Sequence, residues 1–247
     1  MGLKKFIIAF MIISSTIFAS DVIQKPKLIH SYRAHELLSN AYKYIQSQDR
    51  LSFRAVTTNE DIYKNSIVVD VTNTIRVHLV RDNRLRIDVD GDSKHRSYIF
   101  NSGKFIMWDR EYSFYGELET PKTIDKMLDY IYDNYGITSP LANLLYSDLT
   151  KRVVPKAKGY YFGIHKVNGI SCYHIGFSNK QKELQVWIQL NGEPLILKFT
   201  VIDKSTPLRL HSSTVIDWRL KQYKRDPFVF EPSKFIHKIP VTPAGGR

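Results

Sequence analysis

The sequence predicts a mainly β (α+β) fold: an incompletely closed antiparallel β half-barrel with helices packed on its concave face as a lid. Three observations predict it. Apolar and polar residues alternate over many short segments, separated by turn dipeptides such as Asp90-Gly91, Asn168-Gly169 and Asn191-Gly192. Aromatic residues make up 13% of the chain, as suits a sheet with a broad apolar interior. The stretch 120–149 carries two apolar stripes at helical spacing, and each needs a sheet to cover it. A single sheet of about ten strands curls rather than staying flat, and a curled sheet hides the helix stripes and its own interior together. Two domains divided near Pro155 are the alternative, but neither half has enough strands to bury both faces.

At the start of the chain, Lys4 and Lys5 precede the uncharged apolar run Phe6 to Phe18 and then Ala19-Ser20-Asp21. This is the pattern of a secretory signal peptide over residues 1–20, cleaved near Ala19, with a retained membrane anchor as the alternative. The apolar run is short for a transmembrane helix. Residues 21–32 have no clear period. Ala34, Leu37, Leu38, Ala41 and Ile45 then mark an amphipathic helix over 33–48. Strands follow at Phe53 and Ala55, at Ile67 to Val71, at Ile75 to Leu79, and at Leu85 to Val89, where Arg84, Arg86 and Asp88 alternate as a charged outer face. Further strands are expected at 98–101, 105–108 and 112–118.

In the helical stretch, Thr120 is placed to cap, Pro121 to open and Gly136 to stop the first helix, whose stripe is Ile124, Met127, Leu128 and Ile131. Ser139 and Pro140 are placed to start a second helix with the stripe Leu141, Leu144, Leu145 and Leu149. Strands at 160–167, 171–177, 184–190, 195–202 and 208–220 complete a main domain over 21–239. The tail 240–247, rich in Pro and Gly, is expected to be disordered.

Composition narrows the function. Cys172 is the one cysteine, so no intramolecular disulfide forms, and none follows the apolar run to carry a lipid. The formal net charge of +12 suits anionic envelope lipids or acidic proteins as partners; an exported chain is not expected to meet nucleic acid. The basic cluster Arg219, Lys221, Lys224 and Arg225 beside Trp218 and Tyr223 is read in the same way.

Candidate catalytic and metal groups fail on spacing. Asp88, Asp90 and Asp92 lack the glycine and the twelfth-position acid of a calcium loop, and a hairpin turn accounts for them. Cys172 and His174 share a strand face at roughly 6–7 Å, too far apart for direct proton transfer. No histidine pair has metal spacing and no glycine loop cradles a phosphate, so neither a cofactor nor an enzymatic activity is expected. Asp125 and Asp129 read as solvated acids on a helix surface.

The run Val80 to Asp88, then Tyr98-Ile99-Phe100-Asn101-Ser102-Gly103-Lys104 and Trp108-Asp109, resembles the lipoprotein-localisation (LolA/LolB-like) superfamily. Closer still is a family of predicted periplasmic proteins within it. The pieces that match are Arg84-Leu85-Arg86, Thr123-Ile124-Asp125, Tyr135-Gly136-Ile137, Pro140 to Tyr146, Cys172 with His174 and Phe177, Asp217-Trp218, and Phe228 to Pro232. The resemblance runs from the first helix to Pro232 and implies a half-barrel with a helical lid.

Together these readings lead to a soluble periplasmic binding or carrier protein, monomeric, for an apolar ligand, a lipid or a lipoprotein acyl chain. The expected pocket lining is Tyr98, Phe100, Trp108, Leu128, Ile131, Leu141, Leu144 and Leu145, with Arg84 and Arg86 as polar rim contacts. The alternative is an envelope protein–protein interaction or sensing module that uses the curved sheet as a platform.

Overall fold

The computed structural model describes residues 32–64, 67–92, 94–137, 141–152, 157–205, 207–218 and 226–243. Residues 1–31, Ser139 with Pro140, the cluster 219–225 and the last four residues lie outside this set. Helix α1 (Tyr32–Gln46) opens the described chain, followed by β1 (Arg50–Tyr63), β2 (Ile67–Val80), β3 (Arg84–Gly91), β4 (His95–Asn101), β5 (Lys104–Asp109) and β6 (Phe114–Glu119). Helix α2 (Ile124–Tyr135), a 3-10 turn (Ala142–Leu144) and α3 (Leu149–Arg152) come next. The chain closes with β7 (Lys158–Val167), β8 (Ile170–Ser178), β9 (Lys182–Gln189), β10 (Ile196–Asp203), β11 (His211–Asp217) and β12 (His237–Lys238).

Among the described residues, all twelve strands form one sheet in the order β12-β6-β5-β4-β3-β2-β1-β11-β10-β9-β8-β7. Two antiparallel meanders, β1–β6 and β7–β11, meet along the single seam β1–β11, with Ala55 opposite Ile216 and Thr57 opposite Thr214. Strands from both sides of Pro155 therefore share one sheet. The sheet stays open: β7 ends one edge and the short parallel β12 covers β6 at the other. This is a mostly antiparallel open half-barrel, as the patterning predicts. Ile67 to Leu79, read as two strands, is the single strand β2, and β12 has no sequence signal at two residues.

The topology explains the lid. The chain leaves the sheet at β6 and re-enters it at β7, the opposite edge, so the connection must cross the apolar face. Helix α1 fills the C-terminal half of that face, packing on β7, β8, β9 and α3 with Ala34, Leu38, Ala41 and Ile45 buried. Gly159 of β7 permits this approach, since a Cβ there would lie 3.1 Å from Ala34 Cβ. Helix α2 buries Ile124, Met127, Leu128 and Ile131 over the N-terminal half. It ends as expected at Gly136, whose φ of 63° lets its N–H and that of Ile137 reach the carbonyls of Tyr132 and Ile131.

Two local expectations are corrected. Thr120 does not cap α2; its hydroxyl donates to Gly103 O at 3.1 Å, and Thr123 holds the N-cap position. The second helix is not continuous but reduced to the 3-10 turn and the one-turn α3. Its helical hydrogen bonds are taken by tertiary partners. Leu145 O, which would accept from Leu149, accepts instead from Arg81 Nη1 at 2.9 Å. Ser147 N–H, which would reach Asn143, donates to the Asp125 carboxylate at 3.0 Å. The apolar members Leu141, Leu144, Leu145 and Leu149 are nevertheless all buried in the main core.

Candidate functional site

Strand pairing lays the inner face out in rows. Leu51, Leu79, Leu85, Phe100, Phe105 and Leu118 stand opposite one another from β1 to β6. The next row is Phe53, Val77, Ile87, Tyr98 and Met107, and the next begins Ala55, Ile75, Val89. One row further on, the character changes to Thr57 opposite Asn73, with Asn59 beyond.

Between these rows and the crossing connection lies a cavity of about 810 Å³, within the size range of small-molecule sites. Its sheet wall is Ile75, Leu85, Ile87, Val89, Tyr98, Phe100 and Phe105. Its roof is Met127, Leu128, Ile131, Ile137 and Ala142, with Tyr132, Asn143 and Tyr146 alongside. Its polar lining is Thr57, Asn59, Asn73, Lys94 and Lys182. Register places these at one end of the strands. Asn73 pairs with Gly91, whose N–H bonds Lys94 O at 3.2 Å. From the other meander, Asn59 faces Ser212, Ser212 faces Val201 and Val201 faces Leu184, so Lys182 is the next inward residue of β9.

The roof is pinned by side-chain hydrogen bonds. Asp125 accepts from Ser147 N–H and, at 2.6 Å, from Ser147 Oγ, while Asp129 accepts from Tyr146 Oη at 2.9 Å. Arg81 holds Leu145 O and Gln48 O, tying the connection to the end of α1. The two acids that read as merely solvated thus fasten the lid. Their spacing of four on one helix face, opposite Tyr146-Ser147, is the signal that could have found them.

The predicted lining residues divide. Tyr98, Phe100, Leu128 and Ile131 line the cavity; Leu141, Leu144 and Leu145 are buried in the core that backs its roof. Trp108, Arg84 and Arg86 lie on the opposite face. The reason is the period of two: Met107 pairs with inward Tyr98, so Trp108 points out, and Arg84 and Arg86 have the opposite parity to Leu85 and Ile87. There the C-terminal segment covers them. Trp108 packs on Phe230 at 5.4 Å, Arg84 lies over Phe228 at 5.1 Å, and Arg86 donates to Asp88 and to Pro227 O. The rim role assigned to these arginines is thus corrected: Lys94 and Lys182 stand at the polar end of the cavity. Asn73 was also missed, although it is the polar break in the inward series Asn73, Ile75, Val77, Leu79.

Cys172 and His174 do share the outer face, as read, but do not pair. Cys172 is buried against Val167 and Leu197, its Sγ donating to Ile170 O, and burial pushes its thiol pKa up. His174 exchanges a 2.7 Å hydrogen bond with His165, bonds Gln185 at 3.1 Å and stacks on Trp187 at 4.0 Å. Burial lowers its pKa to about 4, assisted by His165 and Lys198 and opposed by Gln185. Among the described residues, no group of three or more His, Cys, Asp or Glu side chains could hold a metal.

A family described as predicted periplasmic protein (DUF2092) matches residues 34–242. The chain belongs to this family. The family's range takes in the lid, both meanders and the C-terminal segment on the outer face. No curated protein matches the sequence. Among solved structures, the chain is similar to LprF from Mycobacterium bovis, at 11% identity over 80% of this chain and 98% of that one, with a TM-score of 0.44. It is also similar to the Mycobacterium tuberculosis lipoprotein LppX, at 8% identity over 77% and 97%, with a TM-score of 0.43. A LolA-superfamily protein from Nitrosomonas europaea matches at 8% identity over 74% and 91%, with a TM-score of 0.31. Among the described residues, no helix is long and apolar enough to cross a membrane.

Proposed function

We propose that this protein is a soluble periplasmic carrier that binds an apolar ligand, a lipid or a lipoprotein acyl chain, under its helical lid. The observation that carries the reading is the cavity of about 810 Å³ between the aromatic sheet wall and α2. A pocket of this size whose wall and roof are aromatic and aliphatic is suited to the apolar part of a guest. Burying a C16 chain there contributes roughly 0.8 kcal/mol per methylene before ordering costs. The role asks for no catalysis. Native mass spectrometry of the mature protein, purified without detergent, tests it: a co-purifying lipid mass is expected, and it should be absent from a Leu128→Asp variant. A clean apo mass that stays unchanged after incubation with envelope lipids would count against carriage.

A second reading, a protein-interaction module, rests on one feature. Beyond Asn59 and Asn73 the β1–β2 hairpin outruns its neighbours, and Ile62, Tyr63, Ile67 and Val68 are exposed on it. Crosslinking from Tyr63 in cells would report a protein there.

A further inference from the structure

We propose that the ligand of this cavity is an anionic amphiphile, whose carboxylate or phosphate head lies at the end marked by Asn73, Lys94 and Lys182 while its chain runs along the aromatic floor. This rests on the apolar-ligand reading and adds the chemistry of the head. Asn73 is only 8% exposed, lines the cavity, and its Oδ1 has no hydrogen-bond partner. A buried amide group left unsatisfied costs about 1–3 kcal/mol, so this side chain calls for a partner from the cavity. An amide can turn its NH2 toward that partner, and a carboxylate or phosphate oxygen accepts from it. Gly91 makes the placement possible: a Cβ there would lie 2.6 Å from Asn73 Oδ1.

The charge at this end is unbalanced in the same sense. Lys94 and Lys182 are exposed and line the cavity, and neither forms an ion pair among the described residues. Asp203 stands opposite Lys182 in register, and its carboxylate is held by Ser205 N–H at 2.8 Å and Ser205 Oγ at 2.6 Å rather than by the lysine. Other acids nearby are engaged elsewhere: Asp92 with Thr72 N–H at 2.9 Å, Glu60 with His211 N–H at 2.8 Å, and Glu183 with Lys204 and Arg209. One row inward the lining becomes Ile75 and Val89, then Ile87, which offers a bare anion nothing and an acyl chain everything. Two ammonium groups and an unpartnered amide over an apolar shaft describe the two ends of one amphiphile.

Calorimetric titration of the delipidated protein with palmitate, hexadecan-1-ol and inorganic phosphate separates the possibilities. Palmitate is expected to bind at least about tenfold more tightly than the alcohol, the scale of a charge-assisted contact. A Lys94→Gln/Lys182→Gln variant should lose that advantage and keep its affinity for the alcohol; both side chains are exposed, so the fold is untouched. Equal binding of palmitate and alcohol to the unaltered protein, or equal weakening of both in the variant, would overturn the anionic head. Phosphate binding as tightly as palmitate would assign the lysines to a free anion and overturn the amphiphile. Failure of both chains to bind would remove the apolar-ligand reading, and this proposal with it.

Discussion

His174 shows how a residue that tempts a catalytic reading is explained by its surroundings. Its ring is stacked on Trp187, and each ring nitrogen already has a partner, His165 or Gln185. The short contact between two imidazole nitrogens needs one of them unprotonated, in keeping with the pKa of about 4 that burial imposes on His174. His78, buried and bonded to Ser52, is lowered to about 4 by burial as well, against the pull of Asp88 and with the push of Arg86 and Arg76. A histidine whose folded pKa lies below its unfolded value takes its proton first in the unfolded chain. Stability is therefore complete above pH 6.5 and lost as the pH falls from there toward 4. Each histidine contributes on the order of 2 kcal/mol across that window. Urea titrations at pH 7 and pH 4.5 should show the loss, and His174→Phe, which can keep the stack on Trp187, should remove roughly half of the pH slope. An unchanged slope would mean that His174 is solvated enough to titrate normally.

At the scale of elements, what was legible in the sequence depended on whether local rules decided the matter. The amphipathic α1, the stripe and glycine stop of α2, and most of the alternating strands follow from periodicity, although Ile67 to Leu79 forms one strand instead of two. The orientation of Trp108 is legible too. The turn Ser102-Gly103 sets Asn101 opposite Lys104, hence Tyr98 opposite Met107, and parity then turns Trp108 outward. Register, not aromatic character, decides which way Trp108 faces. The second lid helix was not legible, because Leu145 O and Ser147 N–H are claimed by Arg81 and Asp125, residues far away in the chain. These claims are testable. Asp125→Ala frees Ser147 and should cost about 1 kcal/mol, the worth of a typical hydrogen bond. Hydrogen exchange should speed up in residues 141–152 while the strands stay protected. Asp125→Asn, which keeps a carbonyl acceptor, should restore much of the protection. Equal exchange in all three proteins would show that core burial of Leu141 and Leu145 alone holds the connection.

At the scale of the whole molecule, the polar end of the cavity gains Lys182 because two meanders close on each other. Lys182 comes to the same end as Asn59 and Asn73 through the β1–β11 seam, a contact between strands more than 150 residues apart, which no local pattern encodes. At the seam, Thr57 and Thr214 exchange a buried hydroxyl hydrogen bond of 2.9 Å. Removing one partner strands the other, whereas removing both leaves two apolar side chains of the same shape. Thr214→Val alone should therefore cost about 1–3 kcal/mol, and Thr57→Val/Thr214→Val should cost less than the sum of the two single changes. The same variants show whether the halves fold as one. The lid bridges the sheet edges and the main core runs across both meanders, from Phe105 to Ile188. Loss of hydrogen-exchange protection should consequently occur at one denaturant concentration in both halves of each protein, shifted together by the seam variants. If β7–β11 kept its protection after β2–β6 had lost it, the seam would be a boundary between two folding units, and the cavity that spans it would open whenever either unit did.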